Sequence, residues 1–263
     1  MAVALATHNL GIGYPGNPIG RNLDIEIQAG ALTMLLGPNG CGKTTLFRTM
    51  LGLLSAQGGR VSIDGEDLGH ISRNDVARRI AYVPQVAQGY FPFSVIDVVL
   101  MGRAPYLGTF DRPGKKDIAV AETALDEVGL IDFAERPFTA ISGGQRQLVL
   151  IARALAQAAP VLVMDEPTAN LDYANQHKVM LRARSLTEAG RTVIISTHNP
   201  DHAFAYAESA ILMKSGDVIA AGEVTRVLDA DRLSDVYDLP VEVTEITTGQ
   251  NEKRRIVLPK SGA

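Results

Sequence analysis

A glycine-rich turn between an apolar segment and a helical pattern constrains this chain more than any other feature of its sequence. Residues 32–36 read Leu-Thr-Met-Leu-Leu, and residues 37–44 read Gly-Pro-Asn-Gly-Cys-Gly-Lys-Thr. Leu46, Met50 and Leu54 follow at the spacing of one helix face. Glycines let successive backbone amides converge on phosphate oxygens, and the start of a helix adds about half a positive charge there. The order strand, turn, helix therefore predicts a phosphate-binding loop.

Three residues of this loop have separate expected properties. Lys43 is expected to reach the β- and γ-phosphates of a nucleotide, and the Thr44 hydroxyl to bind magnesium. Cys41 is the only cysteine, so the chain forms no internal disulfide, which fits a reducing compartment. Electropositive surroundings favour the thiolate and predict a reactive Cys41 that bound nucleotide shields. The alternative is a thiol that is buried beneath the loop and inert.

Alternating strand and helix patterns predict an α/β fold with a largely parallel sheet. Residues 161–164 and 193–195 are apolar, as expected for central strands that are covered on both faces. Residues 22–27 and 60–65 alternate apolar and polar side chains, which is typical of half-exposed antiparallel strands. The predicted fold is an α/β P-loop NTPase with a RecA-like core and an antiparallel β edge.

The domain organisation is predicted to be a single ATPase domain over residues 1–263. Approximately residues 92–158 carry helical patterns and no central-strand pattern, which predicts a helical subdomain inserted into the domain. The most regular helix in it is expected from Gln145 to Gln157. Residues 240–263 form a short C-terminal extension, and the alternation at 241–246 predicts short strands there.

Composition, charge and the distribution of apolar residues argue against three classes of protein, namely nucleic-acid-binding, secreted and membrane-spanning proteins. The 263 residues carry a net charge of -4 and a pI near 5.8, so no broad basic field suits a nucleic-acid partner. The N-terminus lacks the basic start and apolar run of a secretion signal. The most apolar stretch, residues 148–164, is interrupted by Arg153, Gln157 and Pro160, unlike the run of about 20 apolar residues that spans a bilayer. We therefore expect a soluble chain that reaches a membrane only through a partner.

Two adjacent carboxylates, Asp165 and Glu166, follow the apolar segment 161–164. In a chain with a phosphate loop, Asp165 is expected to hold magnesium. Glu166 is expected to face the water that attacks the γ-phosphate and to act as a base or orienting group. Without the phosphate loop, the same pattern would equally fit a capped strand end.

Residues 141–145, Ile-Ser-Gly-Gly-Gln, open the second predicted helix and narrow the class further. Ser142 and the glycine amides would form another anion site at a helix N-terminus. An ordinary N-cap would explain the serine but not the Gly-Gly-Gln that follows it. The segment resembles the signature motif of ABC ATPases, with Ile141 in place of the usual leucine.

The resemblance to ABC ATPase subunits covers nearly the whole chain and implies roles for residues that would otherwise be read as structural. It implies that Tyr14 stacks on adenine and that Gln85 approaches magnesium and the attacking water. It also implies that His198, after the third apolar strand, contacts the γ-phosphate. Residues 169–172 resemble the D-loop, which adds Asp172 to the site.

The implied site draws on residues spread along the chain. Its catalytic residues are Glu166, His198 and Gln85, and its metal ligands are Thr44, Gln85 and Asp165. Its nucleotide-binding residues are Tyr14, Gly37, Pro38, Asn39, Gly40, Cys41, Gly42, Lys43, Thr44, Thr45, Ser142, Gly143, Gly144, Gln145 and Asp172. The cofactors implied are ATP and Mg²⁺.

The family resemblance also implies partners. Two copies of the chain pair head to tail, so that each ATP lies between the phosphate loop of one copy and the signature motif of the other. The dimer drives polytopic permease subunits from the cytoplasmic face of the membrane, and a substrate-binding protein delivers the cargo. No nucleic-acid partner is expected.

The segment 93–108 bears on the cargo, because it resembles the ATPases of importers for iron-siderophore complexes, haem and cobalamin. Importers of zinc, manganese, molybdate or tungstate have related segments, and generic helix packing is a further alternative. An exporter or lipoprotein-releasing subunit fits this segment less well. A soluble ABC ATPase for DNA repair or ribosome work is the alternative outside transport, but the chain has neither a long coiled coil nor a second cassette.

Overall fold

The computed structural model describes residues 2–85, 93–108, 110–169, 171–247, 249 and 251–260. The strands are β1 (Val3–Tyr14), β2 (Asn17–Gln28), β3 (Leu32–Leu36), β4 (Gly58–Ile63), β5 (Glu66–Asp67), β6 (Ile80–Val83), β7 (Val161–Asp165), β8 (Thr192–Thr197), β9 (Ser209–Lys214), β10 (Asp217–Glu223), β11 (Val241–Thr247) and β12 (Lys253–Pro259). The helices are α1 (Lys43–Met50), α2 (Arg73–Arg79), α3 (Val95–Leu100), α4 (Lys115–Glu127), α5 (Gly143–Ala156), α6 (Tyr173–Glu188), α7 (Pro200–Tyr206), α8 (Val224–Val227) and α9 (Ala230–Tyr237). Short 3-10 helices cover Leu68–His70, Met101–Tyr106, Ile131–Phe133 and Phe138–Ala140.

The chain divides into two compact units, residues 1–71 with 180–263 and residues 72–179. In the first unit, β3 pairs in parallel with β8 on one side and β9 on the other, and β10 adds an antiparallel strand to β9. A separate antiparallel sheet has the order β2-β1-β4-β5, and β11 pairs with β12 in a C-terminal hairpin. The predicted mixed α/β fold with an antiparallel sheet is therefore confirmed.

Burial explains why these strands form where they do. Every residue of β3, β7 and β8 is buried, as the apolar runs predict for central strands. In β2, Leu23, Ile25 and Ile27 are buried, whereas the side chains between them are exposed. The period of two residues thus places one face of the antiparallel sheet on the core and the other in solvent.

Two helix boundaries differ from the prediction, each for a local reason. Helix α1 ends at Met50, because Gly52 takes a left-handed conformation (φ 67°) that turns the chain away and leaves Leu54 outside the helix. Helix α5 begins at Gly143, two residues before the predicted start, because Ser142 caps it. Among the described residues, none of the helices has the length and apolar character needed to cross a membrane.

The second unit is built around the parallel pair β6 and β7 with α5 lying along β6. Gln157, at the end of α5, donates to the Ile80 carbonyl oxygen at 2.9 Å. Arg153 donates to the Tyr82 carbonyl at 3.4 Å, and Gln147 to the Pro84 carbonyl at 3.5 Å. Every second carbonyl from Ile80 to Pro84, along β6 and just after it, therefore accepts a hydrogen bond from a side chain of α5 or its C-terminal end. These bonds satisfy backbone groups that would otherwise be buried without a partner.

The importer-like segment 93–108 also packs on α5, and a glycine makes that approach possible. A Cβ atom added to Gly102 would lie 2.2 Å from the carbonyl oxygen of Arg153 and 3.3 Å from the backbone nitrogen of Gln157. Beside it, Arg103 donates to the Ala156 carbonyl at 2.8 Å and to Asp117 at 3.0 Å. This hydrogen bond from Arg103 lowers the pKa of Asp117 below its ordinary value.

We expect Gly102→Ala to destabilise the protein. The added methyl group meets backbone atoms of α5, which cannot rotate away as a side chain would, and overpacking of this kind costs about 1–3 kcal/mol. Urea unfolding should show a lower midpoint with an unchanged slope. Gly58→Ala is the matched control, because nothing lies within 4 Å of a Cβ at Gly58. Equal midpoints for the two variants would contradict the packing role of Gly102.

Candidate functional site

The loop between β3 and α1 has the backbone shape that phosphate binding requires. Gly37, Gly40 and Gly42 have φ values of 154°, 81° and 110°, which residues with a Cβ rarely adopt. A Cβ at Gly37 would also lie 2.4 Å from the carbonyl oxygen of Met213. Two features of the fold therefore require glycine at the start of the loop, namely its conformation and the close approach of β9.

Lys43 lies at the centre of this loop and is buried. Its Nζ donates to the carbonyl oxygens of Gly37 at 2.7 Å and Pro38 at 3.1 Å, so the loop wraps around the ammonium group. No side chain caps the start of α1, and no acidic residue lies in its first turn, all of which the structure describes. Thr44 is half-buried and Thr45 is buried. The start of α1 is thus electropositive, which suits the binding of an anion.

Cys41 is buried, with 4% of its surface exposed. Its amide donates to the Pro38 carbonyl at 3.3 Å, and its carbonyl accepts from Gly216 at 2.9 Å. Of the two possibilities that the sequence leaves open for Cys41, the structure therefore has the buried thiol. Reactivity of Cys41 and its shielding by nucleotide remain predictions.

Tyr14 ends β1 and keeps 40% of its surface exposed, so its ring is available to stack on a base. Its hydroxyl accepts a hydrogen bond from Arg48 of α1 at 3.4 Å. Helix α1 starts at the glycine-rich loop, so the structure places Tyr14 beside the helix that follows this loop. Stacking of Tyr14 on adenine stays a prediction.

His198 lies at the edge of the sheet that carries the phosphate loop. In the parallel register of β3 and β8, Leu36 pairs with Thr197, so Gly37 and His198 directly follow paired residues. His198 is exposed. The first unit therefore brings the glycine-rich loop and His198 to the same edge of the sheet. A contact of His198 with the γ-phosphate stays a prediction.

In the second unit, Asp165, Glu166 and Gln85 lie together at the carboxyl ends of β6 and β7. Val83 pairs with Met164 in the parallel register of β6 and β7, so the residues after both strands lie together. Gln85 Nε2 donates to Glu166 Oε2 at 3.1 Å. Asp165 is almost fully buried and Glu166 is 8% exposed, which strengthens electrostatic interactions at both carboxylates.

Glu166 also has an unusual backbone. Its φ of 44° lies in the left-handed region, which costs energy for a residue with a Cβ. Residues held in such conformations cluster at functional sites, where the surrounding structure stabilises them. The turn directs the carboxylate to Gln85 immediately after the strand ends, which is consistent with a functional rather than a capping role.

The signature-like segment forms a complete capping box. The Ser142 hydroxyl accepts from the Gln145 amide at 3.2 Å, and the Gln145 side chain accepts from the Ser142 amide at 2.9 Å. Ile141 is buried, so it keeps the apolar contact expected of leucine. Ser142 and Gly143 are exposed at the start of α5. Ser142 thus caps its own helix and remains accessible to an anion.

Asp172 stands at the start of α6, where its carboxylate accepts from the backbone of Asn175 at 2.8 Å and from the Asn175 side chain at 3.1 Å. This is the geometry of an N-cap. Asn170, which belongs to the D-loop-like segment 169–172, lies outside the described residues. A contact of Asp172 with nucleotide stays a prediction.

Two residues that contact the surroundings of Asp165 and Gln85 did not stand out in the sequence. The Tyr82 hydroxyl donates to Asp165 Oδ2 at 3.4 Å, and Gln147 reaches the carbonyl before Gln85. A tyrosine within an apolar strand is ordinarily a core residue, and a glutamine on a helix is ordinarily solvated. The signal for Gln147 was available, since it falls among the apolar positions of α5 and is buried.

A glycine-rich loop after β3 and two adjacent carboxylates at the end of β7 are the features of a P-loop nucleotide-binding protein. Comparison with known proteins narrows this class. The profile of the ABC transporter family matches residues 21–169, which is more than half of the chain. The chain belongs to the ATP-binding subunits of the ABC transporter family, and hydrolysis of ATP is the activity expected of it.

Named relatives match most of the chain. The hemin import ATP-binding protein HmuV of Streptomyces coelicolor is 42% identical over 92% of this chain and 85% of its own length. The iron(3+)-hydroxamate import ATP-binding protein FhuC of Bacillus subtilis is 38% identical over 91% of this chain and 90% of its own length. The molybdate import ATP-binding protein MolC of Haemophilus influenzae is 36% identical over 92% of this chain and 90% of its own length.

Solved structures agree with these matches. A chain from the inward-facing conformation of a metal-chelate type ABC transporter superposes with a TM-score of 0.87 at 33% identity, over 99% of this chain and 98% of that one. A bacterial ABC transporter cassette solved as a dimer superposes with a TM-score of 0.74 at 27% identity, over 84% of this chain and 98% of that one.

Proposed function

We propose that this chain hydrolyses ATP to ADP and phosphate and thereby powers uptake of a metal chelate through a separate membrane permease. The observation that carries the ATPase part is the 3.1 Å hydrogen bond from Gln85 to Glu166, beside the buried Asp165, in a chain that also carries a phosphate loop. These residues supply an oriented carboxylate for the attacking water.

In this proposal, each residue acts through chemistry that its surroundings favour. The amides at the start of α1 and the Lys43 ammonium bind the β- and γ-phosphates, as the loop around Lys43 supports. Tyr14 stacks on adenine through its exposed ring. Glu166 takes up or orients the proton of the attacking water, and the amide of Gln85 holds the carboxylate in position. His198 binds the γ-phosphate from the edge of β8.

Mg²⁺ is the metal that this donor set fits. Thr44, Gln85 and Asp165 offer hydroxyl, amide and carboxylate oxygens, and Mg²⁺ is usually bound by one or two carboxylates together with substrate phosphates. Within the described part of the chain, no group of three or more His, Cys, Asp and Glu residues could hold a metal ion. When bound, Mg²⁺ would neutralise the charge that develops on the phosphates.

The proposed assembly has two copies of the chain and a permease. Ser142, Gly143, Gly144 and Gln145 contact the γ-phosphate bound by the other copy, and the accessible start of α5 supports this role. A similar cassette forms a dimer. In the segment 93–108, Phe93, Met101 and Tyr106 are exposed, and we assign this apolar surface to the permease. The chain would then lie on the cytoplasmic face of the membrane, and a substrate-binding protein on the opposite side would act on it only indirectly.

The proposed cargo is an iron chelate such as a ferric siderophore or haem, because the relatives named for hemin and iron-hydroxamate import are 42% and 38% identical to the chain. Cobalamin import is the second candidate, since a relative named for it is 39% identical over 94% of the chain. Molybdate import is the third, from a relative 36% identical over a similar length.

Growth of a deletion strain distinguishes these cargoes. We expect the strain to grow poorly when ferric hydroxamate or haemin is the sole iron source and normally on excess inorganic iron. The wild-type gene should restore growth, and the Glu166→Gln gene should not. Normal growth on every chelate, together with lost uptake of molybdate or cobalamin, would overturn the iron assignment and leave the ATPase assignment intact.

A further inference from the structure

The C-terminal hairpin of β11 and β12 belongs to the first unit and is hydrogen-bonded to the rest of it at several points. The Val241 amide donates to the Ser234 hydroxyl at 3.0 Å, and Arg255 donates to the Thr225 carbonyl at 3.3 Å. A third hydrogen bond joins the hairpin to the segment that follows His198. In it, the Val257 amide of β12 donates to Asp201 Oδ1 at 2.9 Å. Asp201 belongs to the first turn of α7, and β12 packs along that helix.

The first turn of α7 is joined to His198 by a short, hydrogen-bonded segment. The Asn199 amide donates to the Thr197 hydroxyl at 3.1 Å, and the Asn199 side chain accepts from the Asp201 amide at 3.0 Å. In sequence, His198 lies between Thr197 and Asn199, so it belongs to this hydrogen-bonded segment. A displacement of Asp201 would therefore move the segment that carries the His198 side chain.

Neither α7 nor the hairpin is long enough to be stable alone. Helix α7 has seven residues, and isolated helices shorter than about 12–15 residues are marginal in water. A two-stranded hairpin is marginal on its own as well. Each therefore depends on its packing partners, and Ala203 of α7 is fully buried among them. The Asp201 carboxylate joins the two marginal elements by accepting a backbone hydrogen bond.

We propose that Asp201 is a positioning residue that couples the C-terminal hairpin to His198. This inference rests on the proposed function, in which His198 binds the γ-phosphate. The hairpin braces α7 through Asp201 and so sets where the imidazole stands when ATP is bound. The extension at residues 240–260 then acts on turnover without touching nucleotide.

Steady-state kinetics of purified Asp201→Ala and Asp201→Asn test this role. Asparagine keeps an Oδ1 acceptor for the Val257 amide, whereas alanine removes it. We expect Asp201→Ala to lower kcat about 10-fold, less than the roughly 10²-fold that a 1 Å misplacement can cost, with KM for ATP within about 2-fold. Asp201→Asn should restore most of kcat. Glu242→Ala, at an exposed position of the hairpin, is the control and should match the wild type.

Hydrogen exchange supplies a readout that does not depend on turnover. Amides of residues 199–206 should exchange faster in Asp201→Ala than in the wild type without nucleotide, and Asp201→Asn should be close to the wild type. An unchanged kcat in Asp201→Ala, or a raised KM with unchanged kcat, would overturn the inference. A wild-type chain that hydrolyses no ATP would instead overturn the proposed function, so the two failures are distinguishable.

Discussion

Glu166→Gln should bind ATP and hydrolyse it at least about 100-fold more slowly than the wild type, because loss of a general base typically costs 10²–10⁴-fold. The substitution keeps the size of the side chain and an oxygen that can accept the hydrogen bond from Gln85. It removes only the charge that polarises the attacking water. The ATP-bound dimer should then accumulate, which gel filtration with ATP and Mg²⁺ would detect.

Glu122→Gln provides the matched control for this prediction. Glu122 is exposed on α4, so the same chemical change there should leave turnover unaltered. The two variants should have similar melting temperatures without nucleotide. Near-normal hydrolysis by Glu166→Gln would remove Glu166 from its assigned role, although the phosphate loop would remain a nucleotide site.

Lys43→Met should lose both ATP affinity and turnover. The Gly37 and Pro38 carbonyls hold the ammonium group at the centre of the loop, where the proposed function has it bind phosphate. Removing one partner of a buried, hydrogen-bonded charge costs about 2–5 kcal/mol, so kcat/KM should fall by about 30-fold or more. Methionine keeps most of the aliphatic volume, which limits the cavity that the substitution leaves.

Titration with a fluorescent ATP analogue and ATPase assays would measure the two effects of Lys43→Met. Lys116→Met removes a charge from an exposed position of α4 and should leave both quantities unchanged. A Lys43→Met protein that binds and hydrolyses ATP normally would show that the loop works without its lysine. That result would contradict the phosphate-binding role.

The elements that form the proposed nucleotide site could be predicted from the sequence because local rules determine them. Strand β3 coincides with the predicted segment 32–36, since an apolar run this short between turn signals has few other conformations. The glycines of the loop have the conformations that made them informative. The sequence permits Ser142 to act as an N-cap or as an anion-binding residue, and the capping box shows that it is an N-cap. Ser142 is also exposed, so anion binding stays a prediction.

The parts that sequence reasoning missed depend on long-range packing. Nothing local indicates that Gln147, Arg153 and Gln157 of α5 reach alternate carbonyls around β6, because the two elements are more than 60 residues apart in sequence. Burial of α5 lowers the pKa of Arg153 by desolvation, which also depends on the folded surroundings. The tie between Asp201 and Val257 spans 56 residues and could not be read from either segment.

ATP-dependent uptake by the reconstituted transporter is the most direct test of whether the chain couples hydrolysis to transport. The chain would be purified with its permease, reconstituted in liposomes and supplied with ATP on the side of the ATPase, with labelled ferric hydroxamate and its binding protein on the other. We predict uptake that requires ATP and stops in the Glu166→Gln complex while nucleotide binding persists. Uptake that proceeds equally without ATP, or in the Glu166→Gln complex, would contradict the account.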